Sequence, residues 1–337
     1  MRCWYALLFV LVLIAAFREA GSRRYKKITI TGRAQGTTYA ITYYATDSVV
    51  TARQVDSILR VIDQSLSLYQ RGSLINRFNH SKRGIKADQH LLTVVQKGIE
   101  TFHATGGIFD ITVHPLVQAW GFGVKKSEKI PDSAYLQSIR LCVSSEFIQI
   151  SNKRLKKTKP CVKIDLNGIA QGYTVDVLAD FLEKNDVKNY LVELGGEIRV
   201  KGRKLPGNEK MKIGIESPSQ SVFERAGLQQ ILEPDSGAIT TSGSYRQFYE
   251  SGGRKISHII DARTGYPADT ELISAIVFAP DAITADAYDN ALMAMGLEKA
   301  MEFVEQRNDL AAYFIYRKPD GQVADTACSQ FKRLLKR

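Results

Sequence analysis

IDLNGIAQGYTVDVLADFLEKN, Ile164 to Asn185, is the stretch on which the fold turns. An apolar, strand-like start ends on a carboxylate, two glycines turn the chain, and Ala170 to Lys184 then carries apolar residues at helical spacing. After it a strand from Tyr190 to Val192 runs through Glu193-Leu194-Gly195-Gly196 into another that ends at Gly202. Further short strands are expected over Met211–Glu216, Ala226–Leu232, Gly237–Thr241, His258–Ile260, Ile273–Ala279 and Leu310–Tyr316. Upstream, Lys26 to Tyr44 alternates apolar and β-branched residues about GRAQGTTYAITYY, which predicts a hairpin turning near Gly32 to Gly36. Helical periods mark Thr51–Leu68 and His90–Thr105, the second stopped by Gly106-Gly107. Helices are expected again from Thr284 and from Leu297. Strands dominate the middle and helices flank them, so the pattern predicts one α+β domain with a mixed or antiparallel sheet over residues 26–337. Cys142–Ile150 and Cys161–Leu166 read as two adjacent short strands, and the residues before Arg140 as an irregular basic insert.

The chain has 337 residues and a formal charge of +11, enough length for a sizeable core. Much of the charge lies in Arg23–Lys27, Lys153–Lys163 and Lys332–Arg337, which read as solvated loops and tails. No zinc-finger, RNP-like or helix-turn-helix pattern accompanies them, so no nucleic-acid partner is expected. Residues 1–20 hold a nearly unbroken apolar run from Trp4 to Phe17, the length of a signal-peptide core and short of a full span. Export or membrane tethering is the expectation. The four cysteines have no metal-ligand spacing; Cys142 and Cys161 could pair as a disulfide or remain two buried thiols.

Five motifs could carry chemistry, each with a plainer alternative. DLNGIAQG (Asp165–Gly172) offers a helix start to an anion, or only a tight turn. Asp110 in GGIFD could meet a polar heterocycle, or cap the next turn. TSGSYRQFY (Thr241–Tyr249) is a Ser/Gly loop or an amphipathic strand. In HIIDARTGYP, His258 with Asp261 could move a proton, or be a core histidine. In TADAYDNALMAMG, Asp286, Asp289 and Asn290 supply the hard oxygens that Mg²⁺ prefers, or merely complement a helix dipole.

In their order along the chain these pieces resemble the ApbE family, the FAD:protein FMN transferases. The segments are QGTTYAITY, SLYQRGSLINRFN, GGIFDITVHPLVQAWGFG, KIDLNGIAQGYTVDVLADFL, LVELGGEIRVKG, ITTSGSYRQFY, HIIDARTGYP and ADAYDNALMAMG, covering Arg33 to about Met301. The resemblance implies an exported or membrane-tethered enzyme on the periplasmic side that binds FAD and Mg²⁺. It would transfer FMN to a Thr or Ser hydroxyl of a flavoprotein, such as a subunit of an Nqr- or Rnf-type redox pump, and release AMP. It assigns flavin-nucleotide contacts to Gln35, Tyr69, Ile108, Phe109, Asp110, Asp165, Gln171, His258 and Ile260. It assigns the metal to Gly168 (through its carbonyl), Asp286 and Asn290, and catalysis to His258 and Asp286. Three positions depart from the family's usual residues: Gln35 for methionine, Gln171 for lysine and Asn290 for threonine. Mg²⁺-dependent hydrolysis of FAD to FMN and AMP, and flavin binding without turnover, are the alternatives.

Overall fold

The computed structural model describes residues 25–127, 129–216, 228–244, 248–251 and 254–335. The apolar run of residues 1–20 and the middle of TSGSYRQFY, residues 245–247, lie outside these. No helix among the described residues is long and apolar enough to cross a membrane.

The alternation at the start becomes the hairpin β1 (Lys26–Ala34) and β2 (Thr37–Ala45), joined by Gln35-Gly36. Both turn residues have positive φ, 51° and 78°, the two-residue turn whose twist suits flanking strands. From this hairpin an antiparallel sheet of eight strands grows in chain order. The added strands are β3 (Tyr190–Leu194), β4 (Glu197–Lys201), β5 (Ser236–Gly243), β6 (Leu272–Ala279), β7 (Ala311–Arg317) and β8 (Val323–Ala327). Every neighbouring pair is antiparallel. Four long excursions leave it: residues 46–189 between β2 and β3, 202–235 between β4 and β5, 244–271 between β5 and β6, and 280–310 between β6 and β7.

The first excursion supplies helices α1 (Ala52–Leu66), α2 (Gln89–Ala104), α3 (His114–Ala119) and α4 (Ala170–Lys184). Thr51 and Gln54 close a capping box on α1, and the Asp88 side chain caps α2, which is why both begin where they do. Val175, Leu178, Ala179 and Leu182 of α4 pack on Ile41, Tyr43, Tyr190 and Val192 of the sheet. Between β6 and β7 comes α5 (Ala282–Met295), buried along most of its length. Its residues enter all three large apolar clusters: Ala285, Tyr288 and Leu292 with the sheet, Ile283 and Ala287 with α1 and α2, Ala282 with α4. A helix apolar on every side is an interior helix. The rest of the molecule is packed around this one.

The chain departs from the sequence reading in three places. Residues 161–166 form no strand; the short sheet is Gly84–Lys86, Arg154–Lys157 and Ile148–Ser151. Asn79 explains this: its amide donates to the Ile164 carbonyl and accepts from the Ile164 N–H, at 2.9 and 2.8 Å, so a side chain takes the groups a strand partner would need. The basic insert contains a helix, Ser133–Arg140, capped by Asp132. The strand near His258 shrinks to Ile260–Asp261, paired with Tyr266–Pro267, and His258 sits in a bend. Cys142 and Cys161 are joined as a disulfide.

Candidate active site

The acids of ADAYDN are not at a helix start. Asp281 is the N-cap of α5, accepting from the Thr284 N–H at 2.9 Å, so Asp286, Asp289 and Asn290 lie in its middle turns. Dipole compensation therefore does not account for them, since that effect fades within the first turn. Asp286 and Asp289 are buried, and with buried Glu197 of β4 they present oxygens within 4.8 Å of one another. Burial, and secondarily the charge of Asp176, raise the Asp286 carboxyl well above its usual range, although the Gly172 N–H at 2.8 Å lowers it. Three carboxylates so placed repel one another unless a cation or protons join them. Hard oxygens in that number fit Mg²⁺.

Asn290 completes this group. Its Oδ1 accepts from the Ser242 hydroxyl at 3.1 Å, and its Nδ2 donates to Asp289 Oδ1 at 2.9 Å and to the Asp286 carbonyl at 3.3 Å. Gly168 is directly adjacent: a Cβ there would lie 3.3 Å from Asn290 Nδ2 and 3.9 Å from the Phe109 ring. The glycine turn thus meets the acidic face of α5 with Phe109 alongside. The N-cap residue of α4, Ile169, makes no capping bond; instead the Asp286 carboxylate accepts from the Gly172 N–H in the first turn at 2.8 Å, the position where the helix dipole favours negative charge. Asp176, in the second turn of α4, accepts from the Ala282 and Ile283 N–H groups at 2.9 and 2.8 Å and receives Arg199 at 2.6 Å. That contact fixes the crossing of α4 and α5, and with it the distance from Gly168 to Asp286.

The other expected residues fall into two groups. Gln35 donates to Thr174 of α4 at 3.0 Å. Gln171 reaches Gly195, whose φ of +65° brings the β3–β4 turn against Thr37 and the Gln171 amide. Asp110 is buried with both oxygens engaged by the backbone N–H and hydroxyl groups of Thr112 and Ser145 at 2.7 to 3.2 Å, a capping geometry that positions Ile108 and Phe109. Asp165 is buried beside Tyr69, which is 65% exposed. In the second group, Ile260 packs with Leu116, Trp120 and Leu136, and the rings of His258 and Phe122 meet edge-on with centroids 6.2 Å apart. The Asp261 oxygens hold Arg263 through backbone and guanidinium at 2.7 to 3.0 Å.

Of the carboxylate group, Asp289 was already among the motif's candidate oxygen donors but not in the ligand set the resemblance implies, and Glu197 is new. Asp289 had a legible signal, since it lies three residues from Asp286 and so on the same helical face. Glu197 had none, being brought in from β4 only by the sheet. His114, which faces Asp165 across 3.9 Å, also borders the site.

A buried group of hard oxygens meets a glycine turn and the start of α4 on a single α+β scaffold, a donor set that suits a divalent cation. The ApbE family model matches residues 35–314. The chain is 35% identical to a Vibrio cholerae FAD:protein FMN transferase over 342 residues, covering 99% of each. It is 34% identical to one from Haemophilus influenzae, covering 96% of each. Among solved structures it superposes on the flavin transferase ApbE from V. cholerae with TM-score 0.82, covering 92% of this chain and 100% of that one. The apo flavinyl transferase ApbE of Pseudomonas stutzeri gives 0.83 at 32% identity, covering 92% and 97%. This chain belongs to the ApbE family.

Proposed function

We propose that the protein is an FAD:protein FMN transferase whose substrate diphosphate is bound at the junction of Gly168 and α5. The observation that carries this is the buried group of Asp286, Asp289 and Glu197 meeting Asn290 and the glycine turn, in a fold shared with flavin transferases. The acceptor's Thr or Ser oxygen attacks the phosphorus of the FMN half, a new P–O bond forms, and the bond to the AMP phosphate breaks. Such transfer depends on positioning and charge neutralisation. Asp286, Asp289, Asn290, Glu197 and the Gly168 carbonyl would hold Mg²⁺, which would supply neutralisation of the diphosphate charge. The start of α4, which already holds Asp286 through the Gly172 N–H, adds the positive end of its dipole beside the same anion. His258, whose ring meets Phe122, takes the hydroxyl proton.

The acceptor is a flavoprotein, with subunits of Nqr- or Rnf-type membrane pumps the class proposed. The protein acts outside the cytoplasm, exported or tethered by residues 1–20. The Cys142–Cys161 bond supports that placement, since disulfides persist in oxidising compartments. Incubation with FAD and Mg²⁺ tests the reading. AMP release that depends on an acceptor protein is the expected result; equal release without one would make water the acceptor and the protein a hydrolase.

A further inference from the structure

One buried polar pair has atoms that find no hydrogen bond within the chain: Asp165, to which the resemblance already assigns a flavin-nucleotide contact, and His114, to which it assigns none. Asp165 Oδ1 accepts from the Asn167 N–H at 2.9 Å, while its Oδ2 has no hydrogen-bond partner. Facing it at 3.9 Å is His114 Nδ1, at the start of α3, which has no partner either. The side chains are 4% and 17% exposed. At that separation the two atoms do not hydrogen-bond, and a buried polar atom left without a partner costs about 1–3 kcal/mol. Folding has placed two such atoms side by side.

We propose that His114 and Asp165 form a donor–acceptor pair that reads the imide edge of the flavin ring. The inference rests on the transferase reading and names how that same site chooses its heterocycle. Burial, with the charges of Lys163 and His80, lowers His114 to about 4 and keeps the ring neutral. A neutral imidazole facing a carboxylate oxygen carries its proton on the facing nitrogen. Nδ1–H then donates and Oδ2 accepts, on neighbouring points of one wall. The complementary ligand edge has an N–H next to a carbonyl, and the isoalloxazine imide has both. Two observations set the pair near the other residues assigned to the nucleotide. Tyr69 is exposed yet close enough to Asp165 for the carboxylate's charge to raise its phenol, after burial, the larger cause. Asp165 is also three residues from Gly168, so the pair lies next to the diphosphate position, on one side of it.

The amine edge of adenine, at the other end of FAD, could offer a related pattern, so the test separates the halves. Binding of FMN and of AMP is measured by calorimetry with the full chain, His114→Phe and His114→Asn, each variant first checked by circular dichroism. His114→Phe is expected to weaken FMN about ten- to hundredfold, as loss of a buried charge-coupled hydrogen bond does, and to leave AMP unchanged. His114→Asn, which keeps a donor, should recover part of the loss. FMN alkylated at the imide nitrogen should bind the unaltered chain weakly and gain nothing from His114. An unchanged FMN affinity in His114→Phe, or a loss confined to AMP, overturns the proposal. Should His114→Phe not fold, the alkylated FMN decides alone: affinity equal to that of FMN overturns the pair. An unaltered chain that binds FMN in this way but transfers none would instead overturn the transferase reading and leave the pair standing.

Discussion

Asn290 shows how much one side chain can carry. Its amide nitrogen faces the carboxylates and its oxygen faces Ser242. To offer oxygen to a cation the amide turns over, and the Ser242 hydroxyl, which can donate or accept, satisfies either orientation. Asn290→Thr is therefore expected to retain Mg²⁺-dependent transfer. Asn290→Leu should raise the Mg²⁺ needed for half-maximal rate about tenfold, the equivalent of one lost charged contact of ~1.4 kcal/mol; a magnesium titration of the initial rate checks both. Asp165 gives a stability prediction. Burial raises its pKa to about 6, against the Asn167 N–H that lowers it. Between pH ~4 and ~6 the folded chain keeps a proton that the unfolded chain has lost, so stability falls as pH rises through that window. The penalty is complete above it. Asp165→Asn should accordingly melt higher than the unaltered chain at pH 8, by on the order of 1–3 kcal/mol, and the gap should close near pH 4. Thermal melts at the two pH values measure it. Asp286, Asn290 and Gly168 were legible as a set in the sequence, because motif order supplied what each lacked alone. Glu197 was not, because β4 and α5 are far apart in the chain and only the sheet brings them together.

At the scale of elements, the junction of α4 and α5 sets the site. Gly172 is where the helices touch: a Cβ there would lie 2.3 Å from the Ala282 carbonyl and 2.7 Å from the Asp286 Cβ. Backbone cannot yield as a flexible side chain can, so Gly172→Ala should destabilise by about 1–3 kcal/mol or more and displace Asp286. Gly168→Ala meets only the end of the Asn290 amide at 3.3 Å and should cost little stability. Melting temperature and Mg²⁺-dependent rate, measured on both variants, distinguish them. The boundaries of α4 and of the hairpin could be read from sequence, since a periodic apolar face and a glycine turn announce them. The position of the acids within α5 could not. Ala282–Met295 is apolar nearly all round, so periodicity does not mark its start, and Asp281, the true cap, looks like one more acid in a run. The absent strand at 161–166 has the same kind of cause: Asn79, far upstream, claims the backbone of Ile164.

For the molecule as a whole, one sheet in chain order and one buried helix bring Gly168, Glu197, Asp286 and Asn290 together from distant parts of the chain; the alternation of strands and helices made the α+β class legible, while strand order was not. The Cys142–Cys161 bond closes a stretch of 19 residues that includes Ser145, the partner of Asp110. By loop entropy such a bond contributes about 3 kcal/mol, so a reductant should lower the melting temperature and Cys142→Ser should reproduce the shift. The central claim is that the carboxylate group on α5 drives transfer of FMN to a protein hydroxyl. Its most direct test is the mass of an acceptor flavoprotein after incubation with this protein, FAD and Mg²⁺. The account predicts a gain of one FMN per acceptor, with AMP released, abolished by chelation and by Asp286→Ala. An acceptor mass that stays unchanged while FAD is consumed, or a gain that persists in Asp286→Ala, would contradict it.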